Sequence, residues 1–198
     1  MGKLTIVIGN KNYSSWSLRG WLALKLCTSD FEEIVIPLDQ PDTQRRIREH
    51  SPSGKVPTLI DGPLTVWDSL AIGEYLAERY PAAGLWPSDA RARAHARAIV
   101  AEMHAGFAPL RRHFPMDMRS RLPDRGRGAI PEEVAKDVAR IETIWRETLK
   151  AYGGAGGFLF DRPGLADAFY APVASRFATY GLTLGHEAAR YRDRLLDW

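Results

Sequence analysis

The sequence predicts an α/β domain followed by an all-α domain, and three observations predict it. Over the first 80 residues, short alternating or β-branched apolar runs take turns with helical patterns. Between 81 and 89, Pro81, Gly84 and Pro87 interrupt any regular element. From 90 onward no segment alternates, and apolar residues recur at helical spacing toward the C-terminus. The predicted organisation is therefore a domain over 1–80, a linker over 81–89 and a helical domain over 90–198.

In the first domain, Leu4-Thr5-Ile6-Val7-Ile8 predicts a strand and residues 18–26 an amphipathic helix. Between them stands Asn12-Tyr13-Ser14-Ser15-Trp16-Ser17. Hydroxyls at a strand-to-helix turn lie where free backbone N–H groups and the positive end of the helix dipole converge. Such a turn favours an anion, whether phosphate, carboxylate or thiolate. Read alone, the stretch favours the simpler reading that one serine caps the helix. Thr28-Ser29-Asp30 predicts a turn, 31–37 a strand closed by Pro37, and 43–50 a short, polar, Arg-rich helix. Asp61-Gly62 is a hairpin turn that makes 58–60 and 64–66 antiparallel neighbours. Asp68-Ser69 opens a helix over 70–80 that buries Leu70, Ile72, Tyr75 and Leu76. Strand, helix, strand, helix, strand, strand, helix is the order of a thioredoxin-like domain with a mixed four-stranded sheet.

In the second domain, a long helix is expected from 90 to about 112, with Ile99, Met103, Phe107 and Leu110 on one face and a bend at Pro109. Residues 114–130 read as an irregular connection. Pro131-Glu132-Glu133 starts a helix to 152, with Val134, Val138, Ile141, Trp145 and Leu149 at core spacing. Gly153-Gly154-Ala155-Gly156-Gly157 breaks it; without a following Lys-Ser/Thr it is not a phosphate loop. A buried helix after Gly164 and a last helix from about 187 complete the chain.

Composition narrows the function classes. The 198 residues are 45% hydrophobic and 26% charged, an ordinary globular profile, and no apolar run approaches a membrane span. Met1-Gly2-Lys3 leads straight into the first strand, which leaves no room for a signal peptide. Cys27 is the only cysteine, so no disulfide framework is expected, and a cytoplasmic location is the default. His50, His95, His104, His113 and His186 show no paired ligand spacing, so no metal is expected. The 27 basic and 24 acidic residues are interspersed and give a net charge of only +3, which argues against nucleic acid.

Three motifs in order carry a resemblance: Ser14-Ser15-Trp16-Ser17 with Arg19, Lys55-Val56-Pro57, and Asp68-Ser69 followed by Leu70-Ala71-Ile72 and Glu74-Tyr75-Leu76. Together they resemble the N-terminal domain of a serine-type cytosolic glutathione S-transferase. The zeta class is nearest, with its Ser-Ser-Cys-Ser signature followed by arginine. Gly164 through Val173 is similar to the family's buried C-terminal helix, with Gly164 in place of the usual Ser/Thr cap and Asp167 retained for folding.

The resemblance implies glutathione as co-substrate, a small electrophile as second substrate, a detoxification role and a homodimer. A glutathione site must hold two carboxylates and an amino group, dock an extended backbone and stabilise a thiolate. A hydroxyl donating to sulfur above a helix N-terminus favours the thiolate. The zeta signature places that hydroxyl at Ser14, whereas spacing from Arg19 in other serine-type classes favours Ser15. The resemblance implies a cis Pro57 that presents Val56 to the cysteinyl backbone. It also implies Lys55 for the glycine carboxylate, Asp68 for the ammonium and Ser69 for the γ-glutamyl carboxylate. Tyr13 and Trp16, with Met103 and Phe107, would line the co-substrate pocket, where Arg111 would meet an anionic substrate; otherwise Trp16, Met103 and Phe107 are core and Arg111 is solvated.

The leading expectation is a transferase. Its rivals are a zeta-like isomerase of a maleyl-type diacid and a non-catalytic binding protein on the same fold. Against the isomerase, Trp16 stands where the signature has cysteine, and Thr179 falls where an arginine is expected, one turn after Arg176. A thiol-redox role is disfavoured because Ser14 and Ser17 occupy the region of a Cys-x-x-Cys.

Overall fold

In the computed structural model, which describes residues 3–198, the alternating run forms β1 (Leu4–Ile8). Met1 and Gly2, part of the leader reading above, lie outside the described residues. α1 (Ser15–Cys27) follows and crosses to β2 (Phe31–Val35), which pairs parallel with β1. The one-turn α2 (Thr43–Arg48) leads to β3 (Thr58–Asp61), which pairs antiparallel with both β1 and β4 (Leu64–Trp67). The sheet order is β2-β1-β3-β4, and α3 (Ser69–Arg79) closes the unit. β2 ends at Val35, two residues before the expected Pro37; Ile36 is buried and its N–H still bonds the Ile8 carbonyl, and Pro37, without an N–H, cannot carry the ladder on.

The pleat sends alternate β1 residues to opposite faces. Val7 packs with Ile36 and Ile47 of α2, and Val56 rests against that cluster. Ile6 faces α1 on the other side, near Gly20. At the hairpin, Tyr75 and Arg79 of α3 both engage the Asp61 carboxylate at 2.5 Å, which fixes α3 to the β3–β4 turn.

The chain divides between Trp86 and Pro87 into two compact units. In the second unit the expected long helix is two: α4 (Ala90–Ala105) and α5 (Ala108–His113). The break lies at Gly106-Phe107, not at Pro109. Gly106 is extended, a Cβ there would stand 2.8 Å from the Glu102 carbonyl oxygen, and Phe107 is left-handed at φ 60°. Pro109 falls in the first turn of α5, where a missing N–H costs nothing. Residues 114–130 are irregular except for the single turn α6 (Asp124–Arg127). α7 (Glu132–Tyr152), α8 (Leu165–Tyr180) and α9 (His186–Leu196) follow.

α8 is buried nearly all round, as a central helix must be. Its start is held by Asp167. One carboxylate oxygen accepts from Leu159 N–H at 3.2 Å and Tyr191 O–H at 2.7 Å, the other from Gly164 N–H at 3.0 Å. Gly164 has no side chain to complete a reciprocal cap, so Asp167 alone ties the helix start, the preceding loop and α9 together.

Burial pushes the Asp167 carboxyl up to about 6 from 3.8, against the pull of its three donors. A carboxyl whose folded pKa is raised stabilises fully below its unfolded value, and that stabilisation is lost as pH rises through the folded one. Its contribution therefore falls between about pH 4 and pH 6. Asp167→Asn, which sets an amide NH2 against one of three donors, should lower stability by about 2 kcal/mol and remove this dependence. Urea midpoints of both proteins at pH 4.5 and 7 test it: the deficit should be larger at pH 4.5, and a pH-independent gap would refute it.

Candidate active site

Sheet topology decides where the three motifs fall. β1 and β4 run in one direction and β3 in the other, and the register pairs Val7 with Thr58 and Thr58 with Trp67. The end of β1, the start of β3 and the end of β4 therefore share one edge of the sheet. Onto that edge open the serine turn, Lys55-Val56-Pro57 and Asp68-Ser69, each one or a few residues from its strand.

At the first, Ser14 is the N-cap of α1. Its Oγ accepts from Ser17 N–H at 3.3 Å and donates to Ser17 Oγ at 2.8 Å, while Ser17 Oγ also accepts from Gly9 N–H at 2.9 Å. Ser15, the first helical residue, is only 7% exposed, and among the described residues its hydroxyl makes no hydrogen bond. Trp16 and Tyr13 are exposed, so Trp16 is not a core residue; it stacks instead on the guanidinium of the fully buried Arg19, 4.7 Å from the ring centre.

At the second, Val56-Pro57 is cis, as expected. The Val56 side chain packs into the core, while among the described residues its backbone N–H and C=O bond to nothing in the protein. Lys55 is exposed; its N–H donates to Ser53 Oγ and its carbonyl accepts from Thr58 Oγ1. Gly20 of α1 lies against this loop: a Cβ there would meet Pro57 Cγ at 3.0 Å and Cβ at 3.2 Å.

At the third, Asp68 caps α3 by accepting from Leu70 N–H at 2.8 Å, at φ 73°, a region that costs a non-glycine residue about 1–3 kcal/mol. Ser69, 1% exposed, is the first helical residue, and its buried hydroxyl has no partner among the described residues. An orphaned hydroxyl at a helix N-terminus fits an anionic ligand group.

The other expected residues belong to the second unit. Met103 and Phe107 are buried there. Arg111 is half-buried rather than solvated: it donates to the carbonyls of Met103, Gly106 at 3.0 Å and His104 at 3.4 Å, closing the C-terminus of α4. Thr179 is spent on the Asp117 carbonyl at 2.7 Å. Arg176, 4% exposed, donates to the carbonyls of Phe114 and Pro172. Among the described residues it has no carboxylate within ion-pair distance, and burial together with the nearby Arg111 charge pulls its pKa down to about 10. Cys27 is pushed up to about 11 by burial, which removes it from thiolate chemistry near neutral pH.

Sequence reasoning missed two contributors. Ser17, placed by the motif only in the region of a Cys-x-x-Cys, binds both Ser14 Oγ and Gly9 N–H. Gly20 carried a signal, since a glycine inside an amphipathic helix marks a close approach.

Residues 13–79 match the family model described as glutathione S-transferase, N-terminal domain. Glutathione S-transferase Z2 of Arabidopsis thaliana is 30% identical over 174 residues, 82% of this chain and 74% of that one. The chain belongs to the glutathione S-transferase family. A probable maleylacetoacetate isomerase of Caenorhabditis elegans is 40% identical over 96 residues, 48% of this chain and less than half (44%) of that relative. The structure of maleylacetoacetate isomerase from Anaeromyxobacter dehalogenans 2CP-1, with GSH bound in its active site, matches with a TM-score of 0.64. It is 26% identical, and the match covers 97% of this chain and 89% of that one.

The Gly20 contact yields a test within this family's first domain. Gly20→Ala should move α1 off Pro57, costing about 1–2 kcal/mol as overpacking does. Thermal denaturation checks it, and an unchanged or raised midpoint would show that the α1–Pro57 contact has room for a methyl group.

Proposed function

We propose that the protein activates glutathione for attack on a small electrophile, with Ser15 as the hydroxyl that meets the sulfur. The observation that carries this reading is the hydroxyl of Ser15, a residue only 7% exposed, unpartnered among the described residues at the N-terminus of α1, beside a Ser14 whose hydroxyl is engaged. Ser69 and the N-terminus of α3 receive the γ-glutamyl carboxylate, Asp68 the ammonium, Val56 the cysteinyl backbone as a one-residue β-addition, and Lys55 the glycine carboxylate.

Bound glutathione supplies the nucleophilic sulfur. A free thiol titrates near 8.5, so only about 3% is thiolate at pH 7. A hydrogen bond to a charged acceptor contributes about 1.5–3 kcal/mol, which lowers the thiol by about one to two pH units. That brings it to roughly 6.5–7.5. One serine hydroxyl therefore suffices to place the thiol close to half ionised, and the positive end of α1 acts in the same direction.

Ser15→Ala should accordingly move the rising limb of the pH dependence of kcat/KM by about one to two units toward 8.5. Activity should fall about 10- to 100-fold at pH 6.5 but little at pH 9.5, with glutathione affinity kept within a few-fold. An unshifted profile would refute the assignment to Ser15, and absence of calorimetric glutathione binding to the parent protein would sink the reading as a whole.

A second reading is glutathione-dependent cis–trans isomerisation of a maleyl-type diacid, and Arg176 favours it. A buried guanidinium without a carboxylate partner is costly, and a substrate carboxylate supplies the missing charge. The isomerase relative supports the same reading. Arg176→Gln should reduce turnover of maleylacetoacetate more than tenfold while aryl-halide conjugation stays within a few-fold. Equal losses on both substrates would assign Arg176 to folding alone.

A further inference from the structure

We infer that Ser17 is a positioning residue that selects which of the two preceding hydroxyls is available to sulfur. The inference rests on the glutathione-activating reading above and deepens it.

Ser17 is the third helical residue of α1, with Ser14 as N-cap. In a reciprocal cap the third residue's side chain would return to the N-cap N–H. Here the Ser14 N–H goes to the Asn10 carbonyl at 2.9 Å, and Ser17 Oγ reaches past the cap to Gly9 N–H, just beyond the end of β1. The second lone pair of Ser17 Oγ takes the Ser14 proton at 2.8 Å. With both acceptor sites filled, Ser17, at 1% exposure, ties the helix start to the strand end and holds the Ser14 O–H inward. Ser15, one residue on, carries the hydroxyl left over. The choice between two adjacent serines is thus made by a third that need never touch the substrate.

The test is a set of nested variants read by glutathione-conjugating activity at pH 6.5 and by the ultraviolet absorbance of the bound thiolate as a function of pH. Ser15→Ala alone should be slow, with a bound thiol of nearly ordinary pKa. Adding Ser17→Ala should release the Ser14 hydroxyl and recover activity at least fivefold, with the bound thiol lowered again. Adding Ser14→Ala to that pair should abolish the recovery.

Ser15→Ala with Ser17→Thr keeps the acceptor and should recover nothing. Ser15→Ala with Ser17→Cys, a poor acceptor of similar size, should recover as the alanine does and serves if the alanine variant is too unstable. A merely structural Ser17 would give further loss in the double variant. Such loss, recovery that survives Ser14→Ala, or recovery with Ser17→Thr overturns the inference. A Ser15→Ala protein with the parent's pH profile would instead overturn the catalytic assignment to Ser15 on which it rests.

Discussion

The pairing of Val7 with Thr58 and of Thr58 with Trp67 is the constraint on which the first unit depends. A slip of one residue in either pair would turn alternate side chains to the wrong face and expose Ile6 or Val7. The same register places three chain reversals in one row. The parallel β1–β2 pair requires a crossover helix, which puts the start of α1 beside the end of β1. The β3–β4 hairpin returns the chain to the same edge before α3 begins. Two helix N-termini and one strand-edge backbone therefore converge through hydrogen-bonding geometry alone, before any side chain takes a chemical role.

The second unit shows a different economy of charge. Asp167 is fully buried yet receives three donors, and its helix, the preceding loop and α9 meet on it. Arg111 is matched by carbonyls, closing a helix whose chain then turns through a left-handed Phe107. Arg176 is matched by two carbonyls but not, among the described residues, by an anion, so its hydrogen bonds are partly met while its charge is not. Asp167 and Arg176 are buried and Arg111 is half-buried; of the two cations, Arg111 has the Asp137 charge acting in its favour, while Arg176 has the like charge of Arg111 acting against it.

Much of this was legible in the sequence because local rules and tertiary packing agree. β1, the Asp61-Gly62 hairpin and α7 have a clear period or a specific turn residue, and each forms where expected. The α4–α5 break was not legible, because the apolar spacing of Ile99, Met103, Phe107 and Leu110 runs through it unbroken. Pro109 drew the eye, although proline is harmless in a first helical turn. The true break follows from the backbone crowding at Gly106 and the C-terminal closure by Arg111, a contact eight residues long that periodicity does not encode. Within the site, residue types were readable from the motifs. Hydroxyl direction was not, since Ser14 and Ser15 differ only in how each bonds to Ser17 and to the helix backbone.

That difference recurs at the second helix. Ser14 caps α1 and is followed at the first helical position by Ser15; Asp68 caps α3 and is followed by Ser69, and among the described residues neither of these second hydroxyls has a hydrogen-bond partner, the Ser69 one being buried outright. A helix start has orphan N–H groups that must be met, and a capping side chain meets them with an acceptor lone pair; at α1 the Ser14 proton is engaged separately, by Ser17 Oγ. Two consecutive polar residues divide the work: the first satisfies the helix, and the second stands in the same positive field with its own donor unspent. A lone serine at either turn would be drawn into capping. The Ser-Ser and Asp-Ser pairs therefore share one arrangement, in which the first residue caps the helix and the second carries a hydroxyl that capping does not claim.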